Sequence, residues 1–205
     1  EPESASRQRV GELVSRYSAI AVGPGWGVND EKRRFLELLA ETELNGVLDA
    51  DGLNLLSRDG SNRGISFEGW VFTPHPGEAG RLLSITTGEV VANPPAAAHA
   101  IASRWRATVL LKGALPVVVD PEGKEWFLEG MEPALATAGS GDILTGVIGA
   151  LLARGLAPAE AAVAGALLHQ RAGRKLFERS GWFAASELPR AIGEVAGALQ
   201  RLPRG

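Results

Sequence analysis

The chain has 205 residues, of which 45% are hydrophobic and 22% are charged, and this balance predicts one globular domain spanning residues 1–205. A domain of this length removes roughly 70% of its unfolded surface from water, so it needs no disulfide or metal to stay folded. The sequence has no cysteine, which excludes a disulfide scaffold, a thiolate nucleophile and cysteine-ligated metal sites. A formal net charge of −3 argues against nucleic-acid binding, which requires a basic face.

The most apolar stretch, residues 143–153, is too short to span a membrane and is bracketed by Asp142 and Arg154. Residues 1–9 have neither the basic part nor the apolar part of a secretion signal. We therefore expect a cytoplasmic protein without a membrane partner.

Short apolar runs alternate with segments of helical spacing through the first half of the chain. The runs predict four strands, at residues 18–22, 46–49, 70–73 and 108–111. Between them, Asp30 is placed to cap one helix, and Asn93 followed by two prolines marks the start of another that continues to Trp105. This alternation favours a mostly parallel sheet with helices on both faces.

The pattern changes after the fourth strand. Residues 116–119 and 125–128, joined by a turn at 120–123, predict a β-hairpin. From Gly141 onward the sequence is rich in Ala, Leu and Gly at helical spacing and contains no convincing strand. We predict the α/β class, with a mostly parallel central sheet, helices on both faces and a β-hairpin excursion.

Each strand of the predicted parallel sheet ends in a polar or glycine-rich turn. Ligands of open α/β sheets bind beyond the carboxyl ends of the strands, so these turns define the predicted binding edge. The turns are GPGWG at 23–27, DADG at 49–52, TPHPGE at 73–78 and KG at 112–113.

The strongest single element is the AGSGD turn at 138–142, which leads into a helix predicted to start near Ile143. Glycines let the backbone approach a ligand closely, and the free N–H groups at a helix start favour an anion. Asp142 beside that anion is placed to accept a proton from an attacking hydroxyl. The alternative is that Asp142 only caps the helix.

Other polar residues of these turns allow both a functional and a structural interpretation. His75 lies between two prolines and is either a ligand-binding residue or a structural histidine. Lys112 ends an apolar strand, where its ammonium needs a phosphate or a carboxylate partner. Asp49 and Asp51 suit a cation or helix capping, and we assign no metal to them. Two further histidines fall within predicted helices and are expected to be surface or core residues: His99 and His169.

Taken together, these motifs resemble the ADP/ATP-dependent NAD(P)H-hydrate dehydratases, a carbohydrate kinase-like family of the ribokinase-like superfamily. Order and spacing agree from about Tyr17 to Leu188. The TPHPGE turn distinguishes this branch from the sugar and vitamin kinases, whereas the Gly-x-Gly-Asp turn is shared by the superfamily. The matching segments are GPG at 23–25, LDADGL at 48–53, TPHPGE at 73–78, VLLKG at 109–113 and GSGDILTG at 139–146.

The resemblance implies a ribokinase-like fold and a repair reaction, in which hydrated NADH or NADPH, written NAD(P)HX, is dehydrated to NAD(P)H at the expense of ADP or ATP. It implies Asp142 as the base that takes the proton from the ring hydroxyl, and Mg2+ as a cofactor. The turn at 139–141 would stabilise the transferring phosphoryl group. The residues implied for the nucleotide are Lys112, Gly113, Ala114, Leu115, Pro116, Gly139, Ser140 and Gly141. Those implied for the hydrated dinucleotide are Gly23, Gly25, His75 and Asp142.

Three features depart from the family pattern. Relatives carry a longer segment before the Gly-Pro-Gly turn, so we expect the N-terminal part of the domain to be missing here. The loop at 128–133 brings Glu129 and Glu132 towards a polyanion site, where they would weaken binding. Pro116 stands where relatives often have a hydroxyl residue, which removes that hydroxyl and a backbone donor.

Two other functions stay open. One is a small-molecule kinase of the same fold, acting on a vitamin precursor or a sugar-like alcohol, and the other is a non-catalytic nucleotide-binding module. The turn around His75 favours the dehydratase, whereas the short N-terminal part favours the module. As partners besides NAD(P)HX and the nucleotide, we expect a second copy of the chain in a homo-oligomer, or a second chain that supplies the missing elements.

Overall fold

The computed structural model describes residues 3–57, 64–129 and 132–200, which form helical layers on both faces of one sheet. The strands lie side by side in chain order: β1 (Ala19–Val22), β2 (Asn45–Leu48), β3 (Trp70–Phe72), β4 (Thr108–Leu111), β5 (Val117–Val119) and β6 (Glu125–Phe127). The α-helices are α1 (Glu3–Arg16), α2 (Asp30–Ala40), α3 (Ala50–Ser57), α4 (Pro76–Leu83), α5 (Thr87–Ala92), α6 (Pro94–Trp105), α7 (Ser140–Ala153), α8 (Pro158–Ser180) and α9 (Leu188–Gln200). Short 3-10 helices occur at Pro133–Leu135 and Ala185–Glu187.

The first four strands are parallel, and the last two add an antiparallel hairpin. This topology confirms the predicted mostly parallel sheet with its hairpin excursion. Val22 pairs with Leu48, and Leu48 pairs with Phe72, so β1, β2 and β3 end level with one another. The turns that follow these strands therefore open at one edge of the sheet.

The sheet is covered by helices on both faces, because successive side chains of a strand point to opposite sides. Leu48 and Phe72 pack in the cluster formed with α2 to α6, whereas Val47 and Val71 pack against α7 and α8. Strands buried on both faces need near-continuous apolar sequences, which is why these runs show little polar alternation.

The C-terminal helices cover the second face of the sheet, as the Ala- and Leu-rich sequence predicts, and a further apolar cluster joins α7, α8 and α9. From residue 141 to residue 200 the chain contains no strand. Within the described ranges, no helix is both long enough and apolar enough to cross a bilayer.

Candidate functional site

The glycine-rich turn leads into α7, and α7 packs against β1 and β2. The helix starts at Ser140, three residues before the predicted start near Ile143. Its N-cap, Gly139, has φ 85°, a left-handed conformation that glycine adopts at no steric cost. Because no side chain caps this helix, its first turn keeps backbone N–H groups that can bind an anion.

Asp142 lies within the first turn of α7 and does not cap it, so the capping alternative is wrong. Its carboxylate is exposed and makes no hydrogen bond or ion pair with any residue that the structure describes. It borders a cavity of about 390 Å³, which we call the side cleft. An unpaired carboxylate on a cavity is placed to take a proton from a bound hydroxyl. The side cleft is lined by Ile20, Ala21, Val22, Gly23, Pro24, Trp26, Phe35, Asp142, Thr145 and Gly146.

A larger cavity of about 600 Å³, which we call the main cleft, borders the same helix turn. Ser140, Gly141 and Leu144 face the main cleft, whereas Asp142 and Thr145 face the side cleft, as expected for opposite faces of an α-helix. The two clefts therefore meet at the start of α7. The other lining residues of the main cleft are His75, Pro76, Leu110, Lys112, Gly113, Ala114, Pro116, Glu132, Pro133, Leu135, Ala136, Thr137, Ala166, His169 and Gln170.

An ion pair between a buried carboxylate and a partly exposed ammonium lies beneath this turn. The Nζ atom of Lys112 is 2.9 Å from Oδ1 of Asp49 and 4.0 Å from Oε2 of Glu78. Asp49 is 2% exposed, and its Oδ2 accepts a hydrogen bond of 2.9 Å from the hydroxyl of Thr145. A Cβ atom on Gly141 would lie 3.6 Å from the Lys112 ammonium. Of the two partners expected for Lys112, a phosphate or a carboxylate, the structure provides a carboxylate, that of Asp49. Asp49 ties β2 and β4 to α7.

The loop after β1 is held against the start of α3. Gly23 has φ +126°, and a Cβ atom there would lie 1.8 Å from the Asp49 carbonyl oxygen, so no side chain fits. The N–H of Gly27 donates a 2.7 Å hydrogen bond to Oδ2 of Asp51. Both aspartates therefore have structural partners, and the described residues include no group of three or more His, Cys, Asp or Glu that could hold a metal ion.

His75 has a structural role and also borders the main cleft. Its Nδ1 accepts the N–H groups of Gly77 and Glu78, while Oε2 of Glu78 accepts the N–H of His75 at 2.8 Å, which forms a capping box for α4. Because Nδ1 accepts, the neutral ring carries its proton on Nε2, which faces Oε1 of Glu78 at 3.5 Å. The His75 side chain is 51% exposed, so the ring can still reach a ligand.

His169 is buried, as a core histidine would be, but it also borders the main cleft. Its Nε2 lies 3.1 Å from the hydroxyl oxygen of Ser140. Burial lowers the pKa of His169 to about 4; the Ser140 backbone opposes this shift, and the positive charge of Lys112 adds to it. The ring is therefore neutral at neutral pH. His99 lies on the surface, where it pairs with Glu125.

The clefts bring together most of the residues implied for the nucleotide, but not all. Leu115 is 51% exposed, and neither it nor Gly139 lines the main cleft. Six of the eight do: Lys112, Gly113, Ala114, Pro116, Ser140 and Gly141.

The residues implied for the dinucleotide are divided between the two clefts. Gly23 and Asp142 line the side cleft, whereas His75 lines the main cleft and Gly25 lines neither. Four residues that this arrangement brings in had no site role predicted from the sequence. Asp49, Glu78 and Thr145 stood inside the motifs, but His169 carried no local signal. The four are Asp49, Glu78, Thr145 and His169.

The loop before the turn places only one of its two carboxylates on the main cleft. Glu132 lines that cleft, where it accepts the N–H of Ala134 at 3.3 Å and lies 3.9 Å from Nε of Arg174. Glu129 lines a separate cavity beside β6 and α8. The expected approach of Glu129 to the anion site is therefore not observed, and Gly130 and Met131 lie outside the described residues.

Several known proteins resemble this chain in sequence and in fold. The carbohydrate kinase family model described as NAD(P)H-hydrate dehydratase matches residues 2–194. The ADP-dependent (S)-NAD(P)H-hydrate dehydratase of Neisseria meningitidis serogroup B is 43% identical over 167 residues, which are 80% of this chain and 55% of that protein. The bifunctional NAD(P)H-hydrate repair enzyme of Coxiella burnetii is 38% identical over 169 residues, which are 82% of this chain and 34% of that protein. This chain thus spans about half of the first relative and about a third of the second.

The ADP/ATP-dependent NAD(P)H-hydrate dehydratase of Bacillus subtilis, co-crystallised with ATP and Mg2+ and soaked with CoA, is a similar solved structure. It superposes with a TM-score of 0.77 at 27% identity, covering 88% of this chain and 66% of that one. Kinases and other ribokinase-like proteins share the fold at lower identity, which confirms the predicted ribokinase-like fold. The glycine-rich turn of this chain lies at the shared rim of two clefts. Because the family model covers nearly the whole chain, this chain belongs to the NAD(P)H-hydrate dehydratase family of ribokinase-like proteins.

Proposed function

We propose that this chain catalyses the nucleotide-dependent dehydration of NAD(P)HX to NAD(P)H, a lyase reaction that repairs a damaged cofactor. The observation that carries the proposal is the unpaired carboxylate of Asp142 on the first turn of an uncapped helix. That turn is shared by two clefts, one for each substrate of a group transfer. Membership in the family supports the identity of the reaction.

The main cleft is the proposed nucleotide site. Its walls include Leu110, Leu135, Leu144 and Ala166, and apolar walls of this kind suit a planar base. The phosphates would lie at the first turn of α7, where free N–H groups and the helix dipole favour negative charge. The ammonium of Lys112 beneath this turn can donate a hydrogen bond to a phosphate oxygen, but it adds no net positive charge because it faces two carboxylates, those of Asp49 and Glu78.

The side cleft is the proposed site of the hydrated nicotinamide ring, beside Gly23 and Asp142. The ring hydroxyl attacks the terminal phosphorus of ATP or ADP while its proton passes to Asp142, and the bond to the leaving ADP or AMP breaks. Donors of the 139–141 turn stabilise the charge on the transferring phosphoryl group. The ring then loses phosphate as its C–O bond breaks, the neighbouring carbon gives up a proton, and the ring double bond of NAD(P)H forms again.

We propose Mg2+ as the cofactor, bound together with the nucleotide. Mg2+ keeps several waters and is usually held by one or two carboxylates plus substrate phosphates, so it needs no cage built by the protein alone. The exposed carboxylate of Asp142 and the anion-binding turn fit an ion that arrives with phosphates. Such an ion supplies neutralisation of phosphate charge.

We further propose a single domain over residues 1–205, action in the cytoplasm, where reduced nicotinamide cofactors and nucleotides are used, and a homo-oligomer or a second chain as partner. β1 lies at one edge of the described sheet, where another segment could pair with it. Light scattering after gel filtration, at several concentrations, measures this association. A monomer at every concentration would exclude self-association.

The test of the proposed function is the recovery of reduced-nicotinamide absorbance from hydrated NADH or NADPH with ATP or ADP, using protein from the complete coding sequence. Asp142→Asn should lower turnover by roughly 100-fold or more because the base is lost. The affinity for ATP should stay near wild type because the backbone donors remain. The matched control is Asp30→Asn, at an exposed site in the first turn of α2, which should retain full turnover.

Each other outcome selects a different function. A stable phosphorylated alcohol in place of reduced dinucleotide would favour the kinase alternative. Binding of ATP without any turnover would favour the non-catalytic module. Full activity of the Asp142→Asn variant would refute its role as the base while leaving the reaction itself intact.

A further inference from the structure

Ser140 opens the helix whose first turn is the proposed phosphate site, and it has a buried partner. Its side-chain oxygen lies 3.1 Å from Nε2 of His169, which belongs to α8. Ser140 is 4% exposed and His169 is 5% exposed, yet both border the main cleft. Two polar side chains are thus paired at the wall of a cavity lined mainly by apolar groups.

The protonation state of His169 limits what this pair can do. Burial keeps the ring neutral at neutral pH, so only one of its two nitrogens carries a proton. If Nε2 accepts, the Ser140 hydroxyl donates its proton to the histidine ring and cannot donate to a ligand. If Nε2 donates, the hydroxyl proton is left to point elsewhere, and the nearest open space is the main cleft.

The Ser140 backbone acts on the ring as well, because it raises the pKa of His169 against the effect of burial. A backbone group raises a histidine pKa when its carbonyl oxygen faces a protonated ring nitrogen. A proton on Nε2, the ring nitrogen that faces Ser140, therefore agrees with this effect and with the 3.1 Å contact to the Ser140 oxygen. The hydroxyl of Ser140 then accepts from the ring and keeps its own proton for a ligand.

We infer that His169 is a positioning residue of the nucleotide site: its Nε2–H donates to the Ser140 oxygen and directs the Ser140 hydroxyl proton to a phosphate oxygen at the first turn of α7. This inference rests on the proposed nucleotide site in the main cleft. It does not depend on which acceptor receives the phosphoryl group. His169 acts through Ser140 and does not itself touch the phosphate.

The first test measures ATP affinity by calorimetric titration, which needs no turnover. His169→Leu and Ser140→Ala should each weaken ATP binding by roughly tenfold, since one hydrogen bond to a charged phosphate is lost. The double variant should bind ATP no more weakly than Ser140→Ala alone, because the two residues act as one unit. His169→Gln retains an N–H donor and should stay within about threefold of wild type.

The matched control is His99→Leu, which removes a histidine of α6 from the surface and should leave ATP affinity unchanged. Additive losses in the double variant would overturn the inference, because they would mean that His169 acts independently of Ser140. An unchanged ATP affinity of His169→Leu, together with lower thermal stability, would also overturn it and leave a purely structural residue.

The second test does not require any variant to fold. The nitrogen chemical shifts of the imidazole rings report the tautomer, and the chain has only 3 histidines to assign. The proton of His169 is expected on Nε2, and a proton on Nδ1 would refute the inference. Absence of ATP binding to the wild type would refute both the nucleotide site and this inference. ATP binding without dehydration of NAD(P)HX would refute only the proposed function.

Discussion

Replacing Lys112 by methionine is expected to cost more stability than replacing its partner Asp49 by asparagine. The Asp49 side chain is 3% exposed and the Lys112 side chain is 24% exposed. Lys112→Met leaves a buried carboxylate with the hydroxyl of Thr145 as its remaining side-chain donor among the described residues. Removing one partner of a buried ion pair in this way costs about 3–5 kcal/mol of unfolding free energy.

In Asp49→Asn the group that loses its partner is the ammonium of Lys112 and not a buried carboxylate. The ammonium of Lys112 still has Glu78 at 4.0 Å and partial access to water, so we expect a loss of about 1–2 kcal/mol. In the double variant neither charge is left unpaired. Because a buried ion pair contributes little net stability over neutral residues of similar size, the double variant should recover much of the loss caused by Lys112→Met.

Thermal unfolding at neutral pH measures these differences. At roughly 2–4 °C per kcal/mol for a domain of this size, Lys112→Met should lower Tm by about 6–20 °C. The control is Lys175→Met, which breaks an ion pair of 2.7 Å with Glu194 whose side chains are 47% and 35% exposed and should cost less than about 1 kcal/mol. Lys112→Met within about 1 kcal/mol of wild type, or milder than Asp49→Asn, would refute the reasoning.

Three further predictions concern pH, backbone packing and charge. Burial lowers the pKa of His169 to about 4 from an ordinary value of 6.5, so as pH falls the unfolded chain protonates this histidine before the folded chain does. The contribution of His169 to the free energy of unfolding is constant above about pH 6.5 and declines by up to about 3 kcal/mol towards pH 4. Urea unfolding of wild type and His169→Gln between pH 7 and pH 4 measures the difference, and parallel pH profiles would contradict it. Gly23→Ala should lose more than about 3 kcal/mol, since the new methyl group would lie 1.8 Å from the Asp49 carbonyl oxygen. Gly193→Ala, which has no neighbouring atom within 4 Å, should change stability by less than about 1 kcal/mol in the same denaturation assay, and equal losses would contradict the steric argument. Glu132→Gln should change ATP affinity by no more than about threefold, because its carboxylate already faces a backbone N–H and an arginine of α8; a tenfold gain in a calorimetric titration would show that its charge repels phosphate.

The sequence alone determined the features of this protein that depend on residues close together along the chain. β4 occurs at the predicted residues, 108–111, because a strand of apolar and β-branched residues bounded by turns leaves little choice of conformation. Parallel strands also place their carboxyl ends at one edge, so the sequence alone assigns the turns after β1, β2, β3 and β4 to one rim. The predicted start of α7 lies three residues too far along the chain. The reason is that its N-cap is Gly139 in a left-handed conformation without a side-chain hydrogen bond, so the sequence shows no capping side chain.

Tertiary structure alone decided which polar side chains meet. Lys112 could be assigned a carboxylate or a phosphate from its position, but Asp49 stands 63 residues away along the chain, and Thr145 is 96 residues from Asp49. His169 sits 29 residues from Ser140, in a helix whose local pattern shows only an apolar face. Such pairs form because folding buries each group where water cannot satisfy it, so the nearest polar atom in space becomes its partner. Local sequence records the need for a partner, whereas the packing of α7 and α8 on the sheet determines which residue meets it.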